Sequence, residues 1–369
     1  MSNLSSDVIK LNPFHYNDDE NKSHQSKKKA IFSILIFSFI TLITRYSSIT
    51  IPSTDSKEKI RAITVASDVK LIPSGEAVCM KIKSDGALVV GVKNENGLPA
   101  KKAGIKNGDL IKKVNNIDLM NTKHFEDILK NSQCEELSLE VIRNGKTEHL
   151  KMKPQKNESE QIVCGLWLRD SAAGIGTITY YTENLENFAA LGHPVNDCDT
   201  DKTFDLRSGI LEKADIKGIN VGEKGKPGEL IGAINPETIG KITKNNQFGI
   251  YGDVIDKEIK GEAMEILPRS QVKLGKAAII STISNKGKQE FEVEITKISD
   301  SKENKDFVIK VTDEALIGMT GGIVQGMSGS PIIQDGRLVG AITHVMLNDS
   351  KKGYGISIEK MMEAVNTAL

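Results

Sequence analysis

The sequence predicts a mainly β protein with two folded units, and three observations carry that expectation. At 369 residues the chain exceeds the usual size of one domain, so two units plus appendages are expected. Its 32 glycines and 5% aromatic content accompany short Val/Ile/Thr runs separated by Gly, Asn and Asp, the pattern of strands and turns. In the C-terminal half only the last stretch, SIEKMMEAVNTAL, reads as a clear helix, with Ile358, Met361, Met362 and Val365 on one face. Lys+Arg and Asp+Glu each total 49, so the chain lacks the basic field on which nucleic-acid binding relies, and no nucleic acid is expected as a partner.

The N-terminus reads as an address. Lys27, Lys28 and Lys29 precede an uncharged apolar run, AIFSILIFSFITLIT from Ala30 to Thr44, which Arg45 ends. As a helix this run spans roughly 23 Å, short of the ~30 Å hydrocarbon core, which suits a signal anchor with its basic side in the cytoplasm. The expected division is a cytoplasmic tail over 1–29, an anchor over 30–44 and a polar linker over 45–70, with all later residues outside the membrane. Cys79, Cys134, Cys164 and Cys198 form no C-x-x-C pair, so neither a metal nor any other cofactor is expected, and unpaired packed thiols are the default.

Residues 71–154 form the first expected unit. GALVVGV, Gly86 to Val92, is a glycine-bounded strand, and AGIKNGDLIKKVNN, Ala103 to Asn116, is a turn feeding a second strand. NTKHFEDILKN places Phe125, Ile128 and Leu129 at helical spacing. LSLEVIRNGKTEHLKMKP alternates across Asn144-Gly145, a strong hairpin signal. The A-G-I-K-N-G-D-L-I block with its strand, short helix and hairpin resembles a PDZ domain of the bacterial type. That resemblance implies capture of an extended peptide as an added strand beside Leu88, Val89 and Val90, facing the helix of Phe125, with amides near Gly86 receiving a terminal carboxylate. His124, at the start of that helix, reads as a solvated residue.

Residues 165–369 return to short strands and Gly-rich turns, enough to build a double β-barrel. In GIVQGMSGSPIIQ, Ser328 stands between Gly326-Met327 and Gly329. A serine hydroxyl is a weak nucleophile without a base. His15 and His24 precede the apolar run, and His124 and His149 belong to the first unit. His193 in FAALGHPV and His344 in GAITHV remain. His344 lies sixteen residues beyond Ser328, and Ser330 breaks the G-x-S-x-G pattern of α/β-hydrolases. His193 instead gives the His…Asp…Ser order of chymotrypsin-like barrels. The glycines fit an oxyanion hole made by the Gly326 and Ser328 amides. Asp197, Asp199, Asp253, Asp300 and Asp313 are candidates to orient the histidine, and spacing alone does not choose among them. His344, on the strand expected to line the substrate cleft, is either a pocket wall or a packed histidine.

LWLRDSAAGIGTITYY, ALGH, KGKPGELIG, NNQFGIYG and KVTDEALIGMTGGIVQGMSGSPIIQDGRLVGAITHV resemble the stage IV sporulation protein B family of serine peptidases, from about residue 71 onward. The resemblance implies a PDZ domain followed by a chymotrypsin-like double β-barrel peptidase, with a triad on His193, Asp313 and Ser328. It further implies an endopeptidase of endospore formers that acts between the forespore and mother-cell membranes. Such an enzyme cuts itself and a regulatory membrane protein of an intramembrane protease, and a sigma factor is released. The competing expectation is a PDZ scaffold whose barrel is inactive.

Overall fold

In the computed structural model the described residues are 69–366, apart from 94–96, 224, 257, 300 and 302. The expected tail and anchor, and the linker up to residue 68, lie outside them. Among the described residues no helix is long and apolar enough to cross a membrane.

The chain opens with β1 (Lys70–Pro73) and the 16-residue β2 (Ala77–Val92). A short helix α1 (Pro99–Lys102), β3 (Leu110–Val114), β4 (Ile117–Asp118), α2 (Thr122–Asn131), β5 (Leu137–Arg143) and β6 (Lys146–Met152) follow. In α2 the apolar spacing buries Phe125 and Leu129, and the Asn121 side chain caps the helix by accepting from the His124 amide. The β5–β6 hairpin turns through Asn144 at φ 50° and Gly145 at φ 75°, the left-handed pair that a type I′ turn requires. Val89, Ile111, Phe125, Leu139 and Val141 meet in one apolar core, so this unit is the expected PDZ domain.

After β7 (Gln155–Lys156) and β8 (Ile162–Val163) the chain runs through β9 (Leu166–Thr182), β10 (Asn187–Ala190), β11 (Leu206–Asn220), β12 (Glu229–Asn246), β13 (Gly249–Val254) and β14 (Met264–Glu265). The order β9-β10-β13-β12-β11-β2, together with the β2–β9 ladder, returns to its start and closes a first barrel. Its core holds Val78, Ile82, Phe188, Leu211 and Ile239.

The last part contains β15 (Gly275–Ser281), β16 (Gln289–Ile298), β17 (Phe307–Val311), α3 (Glu314–Thr320), β18 (Pro331–Gln334), β19 (Arg337–Met346), β20 (Asp349–Ser357) and α4 (Ile358–Asn366). Its strands close a second barrel in the order β15-β16-β17-β20-β19-β18, filled by Ile279, Val293, Phe307, Ile309 and Val339. Between the barrels Tyr180, Ala189 and Tyr251 pack on Leu338, Ala341 and Ile356, and α4 adds Ile358, Met361 and Ala364. Val365, expected on that apolar face, is exposed.

The structure divides the chain differently from the sequence boundaries. Val78–Lys83 of β2 pair with β9 and β11 in the first barrel, whereas Leu88–Val92 pair with Leu166–Arg169 beside the PDZ strands. β2 and β9 are therefore shared by two cores. An alternating apolar pattern shows that a strand is half-buried but not which core each end faces.

Candidate active site

Ser328 lies half-buried in the turn before β18, and both barrels hold that turn. From β9 the Thr177 amide donates to the Ser328 carbonyl at 2.9 Å. The Thr177 hydroxyl donates to the Gly326 carbonyl at 2.7 Å and the Thr179 hydroxyl to the Gly329 carbonyl at 2.8 Å. From the second barrel the Ile342 carbonyl accepts from the Gly329 amide at 2.7 Å, and the Ser330 hydroxyl bonds Ser281 Oγ at 3.0 Å. With their carbonyls tied down, the Gly326 and Ser328 amides have no backbone acceptor among the described residues, as an oxyanion hole requires. Gly329 sits at φ +98°, and a Cβ there would lie 1.9 Å from the Thr177 carbonyl oxygen. Only glycine lets the serine turn press this closely on β9.

His193 follows β10 through Leu191 and Gly192, both at positive φ. The Leu191 amide donates to the Thr177 carbonyl at 3.2 Å, so Thr177 touches the histidine segment and the serine turn together. Asn304 Nδ2 donates to the Gly192 carbonyl at 3.1 Å, and Thr343 Oγ1 donates to the Asn304 carbonyl at 3.2 Å. The Ser328 hydroxyl donates to the Thr343 carbonyl at 2.5 Å. The His193 and His344 rings lie 4.5 Å apart between centroids and are tilted by 32°. Ser328 and His193 thus converge from opposite barrels on the pair Thr343-His344.

Electrostatics suit a base. His193 Nδ1 lies 2.8 Å from the Pro194 carbonyl, and since a carbonyl only accepts, Nδ1 carries the proton and Nε2 presents its lone pair. Burial lowers the His193 pKa, partly opposed by that bond. It also lowers His344, helped by the neighbouring His193 and Lys305. Both imidazoles are neutral at neutral pH.

Asp313 makes no hydrogen bond to His193 among the described residues. It is the N-cap of α3, accepting from the Leu316 amide at 2.8 Å and the Glu292 amide at 3.3 Å. The Nδ1 side of His193, where an orienting carboxylate would sit, faces the Pro194 carbonyl. Asp197 is buried and Asp199 exposed, and both pair with Arg169. Asp253 accepts from Asn187, and Asp300 lies outside the described residues. Among the described residues no carboxylate hydrogen-bonds His193. Asp197, Cys198 and Asp199 cluster as metal ligands would, but the Arg169 guanidinium already occupies their carboxylates. The four cysteines are free thiols.

The expected peptide edge on β2 is closed. Leu88 pairs with Arg169 and with Leu110, and Val89 pairs with Leu168 while bonding Asp109 and Gly108 through its amide and carbonyl. Val90 falls in a bulge of that ladder, Phe125 is 2% exposed in the PDZ core, and Gly86 is buried against the Ile111 carbonyl. None of these positions offers a free backbone edge. The open edge belongs to the first residues of β9: Leu166–Arg169 pair only with β2 among the described strands. The other side of that segment faces α2, whose Thr122 amide and hydroxyl both donate to Asp170. Trp167, 59% exposed, marks this segment. The buried pair Thr177 and Thr179, two residues apart in GIGTITYY, and the GLWL stretch after the PDZ hairpin were the sequence signals for these roles.

A comparison with curated proteins finds no match. Among solved structures, the PDZ domain of the SdrC-like protein from Listeria monocytogenes aligns at 20% identity over 24% of this chain and 90% of its own, with a TM-score of 0.21. The Rv3671c protease from M. tuberculosis in its active form aligns at 10% identity over 53% of this chain and 73% of its own, TM-score 0.32. The HtrA-type protease AlgW with decapeptide aligns at 11% identity over 57% of each chain, TM-score 0.33. A PDZ family model matches residues 95–143. The model of the SpoIVB peptidase S55 family matches residues 160–362, more than half of the sequence, and on that match the chain belongs to this family and is a serine endopeptidase with a PDZ domain ahead of its catalytic barrels.

Proposed function

We propose that this peptidase is a sporulation signalling enzyme, anchored by residues 30–44 in the inner membrane, with its PDZ and peptidase units in the space between forespore and mother cell. There it cleaves itself and a regulatory membrane protein that restrains an intramembrane protease, and a sigma factor is released. Family membership supports this setting. The chemistry rests on one observation: Ser328 and His193, from different barrels, meet at Thr343-His344 beside two amides left open by a glycine turn.

In the resting arrangement the Ser328 hydroxyl points at the Thr343 carbonyl. Rotation about its χ1 hands the proton to His193 Nε2, and Oγ bonds the peptide carbonyl carbon. The Gly326 and Ser328 amides hold the oxyanion, the proton passes to the leaving amine, and water releases the acyl group by the reverse path. Removing one oxyanion donor typically costs about 10²–10³ in rate. The test is expression of residues 51–369 with and without Ser328→Ala. Self-cleavage is expected only with the serine present, and identical fragments from both proteins would end the assignment.

A second reading concerns recognition. The open edge of Leu166–Arg169 facing α2 supports peptide capture by strand addition there. Trp167 is the single tryptophan of the chain, so its fluorescence reports occupancy of that edge. Titration with peptides from the protein's own N-terminal region should shift the emission, and no change at saturating peptide would refute it.

A further inference from the structure

His344 is a half-buried titratable group beside the chemistry to which no step above gives a part. The strand before it carries Thr343, whose carbonyl accepts from Ser328. The β19–β20 register shifts between Ile342, paired with Gly355, and Val345, paired with Gly353, so a bulge falls on Thr343-His344. Bulges re-aim side chains next to active sites. Here the bulge is stabilised by a close approach: the His344 carbonyl lies 2.7 Å from where a Cβ on residue 353 would stand, so Gly353 lets the backbone bend. The result is an imidazole lying against His193 at 4.5 Å and 32°. Meanwhile the Pro194 carbonyl holds the His193 edge, and no carboxylate among the described residues bonds that ring.

We propose that His344 is a positioning residue of the peptidase, whose ring face holds His193 in the plane set by the Pro194 carbonyl and supports the positive charge His193 gains when it takes the Ser328 proton. An aromatic face within about 6 Å of a cation attracts it electrostatically. Burial, His193 and Lys305 all disfavour protonation of His344. It therefore stays neutral while His193 cycles, and the proton balance is unchanged: Ser328 Oγ to His193 Nε2, then to the leaving amine.

The proposal rests on the Ser328–His193 assignment, so its test reads that assignment separately. A fluorophosphonate probe forms an Oγ–P bond with loss of fluoride and the serine proton, and needs no knowledge of the natural substrate. Wild-type protein, His344→Leu and His344→Phe are compared for the rate of Ser328 labelling, with circular dichroism and melting confirming the fold. His344→Leu is expected to label roughly 2–30-fold more slowly, the range a cation at a ring face is worth. His344→Phe, which keeps a face but no ring nitrogen, recovers most of that loss. In a His193→Ala background, His344→Leu makes no further difference. The proposal is overturned if folded His344→Leu labels at the wild-type rate, if His344→Phe is as slow as Leu, or if the Leu effect persists without His193. A wild-type protein that the probe does not label overturns the nucleophile itself and this proposal with it.

Discussion

Arg169→Met isolates the contact that ties the histidine loop to the strand shared with the PDZ unit. Arg169 on β9 pairs with Asp197, donates to Asp199 Oδ2 at 2.6 Å and reaches Cys198 Sγ at 3.4 Å. The Asp197 residue is 1% exposed and lies four positions after His193. Breaking a buried pair by removing one partner costs about 3–5 kcal/mol, because the other charge is left uncompensated. The second Asp197 oxygen keeps the Asp199 amide at 3.1 Å and the Thr200 amide and hydroxyl, each at 2.9 Å, which places the loss near the lower end, about 3 kcal/mol. For a domain of this size class that is about 6–12 °C in Tm. Calorimetry of Arg169→Met should show this drop, and Arg169→Met/Asp197→Asn should recover part of it by removing the stranded charge. Because the loop carries His193, fluorophosphonate labelling should slow at temperatures where the protein is still folded. A Tm within 2 °C of wild type would refute the view that Arg169 neutralises a buried carboxylate.

Gly329→Ala should abolish labelling and lower stability, since the new methyl meets the Thr177 carbonyl at 1.9 Å; a fully labelled, stable variant would show that the turn is looser than its hydrogen bonds imply. Thr177→Val removes the donor to the buried Gly326 carbonyl at a cost of about 1–3 kcal/mol, with a larger effect on kcat than on KM because the oxyanion amides lose their anchor. The pH dependence has a definite sign. The folded protein holds His193 and His344 below their ordinary 6.5, so between 6.5 and the folded pKa values the unfolded chain binds more protons. Stability is then full above about 6.5 and falls with decreasing pH, by about 1.4 kcal/mol per pH unit for each titrating imidazole. Urea midpoints at pH 7.5 and 5.5 measure it, and His344→Phe should flatten the slope.

The tight turn at Ser328 and the place of His193 after a strand were legible because their requirements are local: a turn stripped of side chains, and a histidine following small residues and glycine. The orienting partner was not. Asp313 satisfies the expected order and spacing, yet in the structure its carboxylate accepts from the Leu316 amide of α3 and the Glu292 amide of β16, while a backbone carbonyl and a second imidazole lie against His193. The expected peptide edge is closed for a related reason. Leu88, Val89 and Val90 look like an available strand, but whether an edge is open depends on which distant strand pairs with it, and β9 takes that place.

By itself the sequence determined the fold class, the order of the two units, the Asn144-Gly145 hairpin, α2 and the glycine turn at Ser328, since strand alternation, turn chemistry and helical spacing act over a few residues. Tertiary structure alone decided that β2 and β9 serve two cores, that Thr177 joins the histidine and serine segments, and that His344 rests on His193. Those outcomes come from ladder register and bulges between residues far apart in the chain, and a one-residue slip in either would point each of these side chains at a different neighbour.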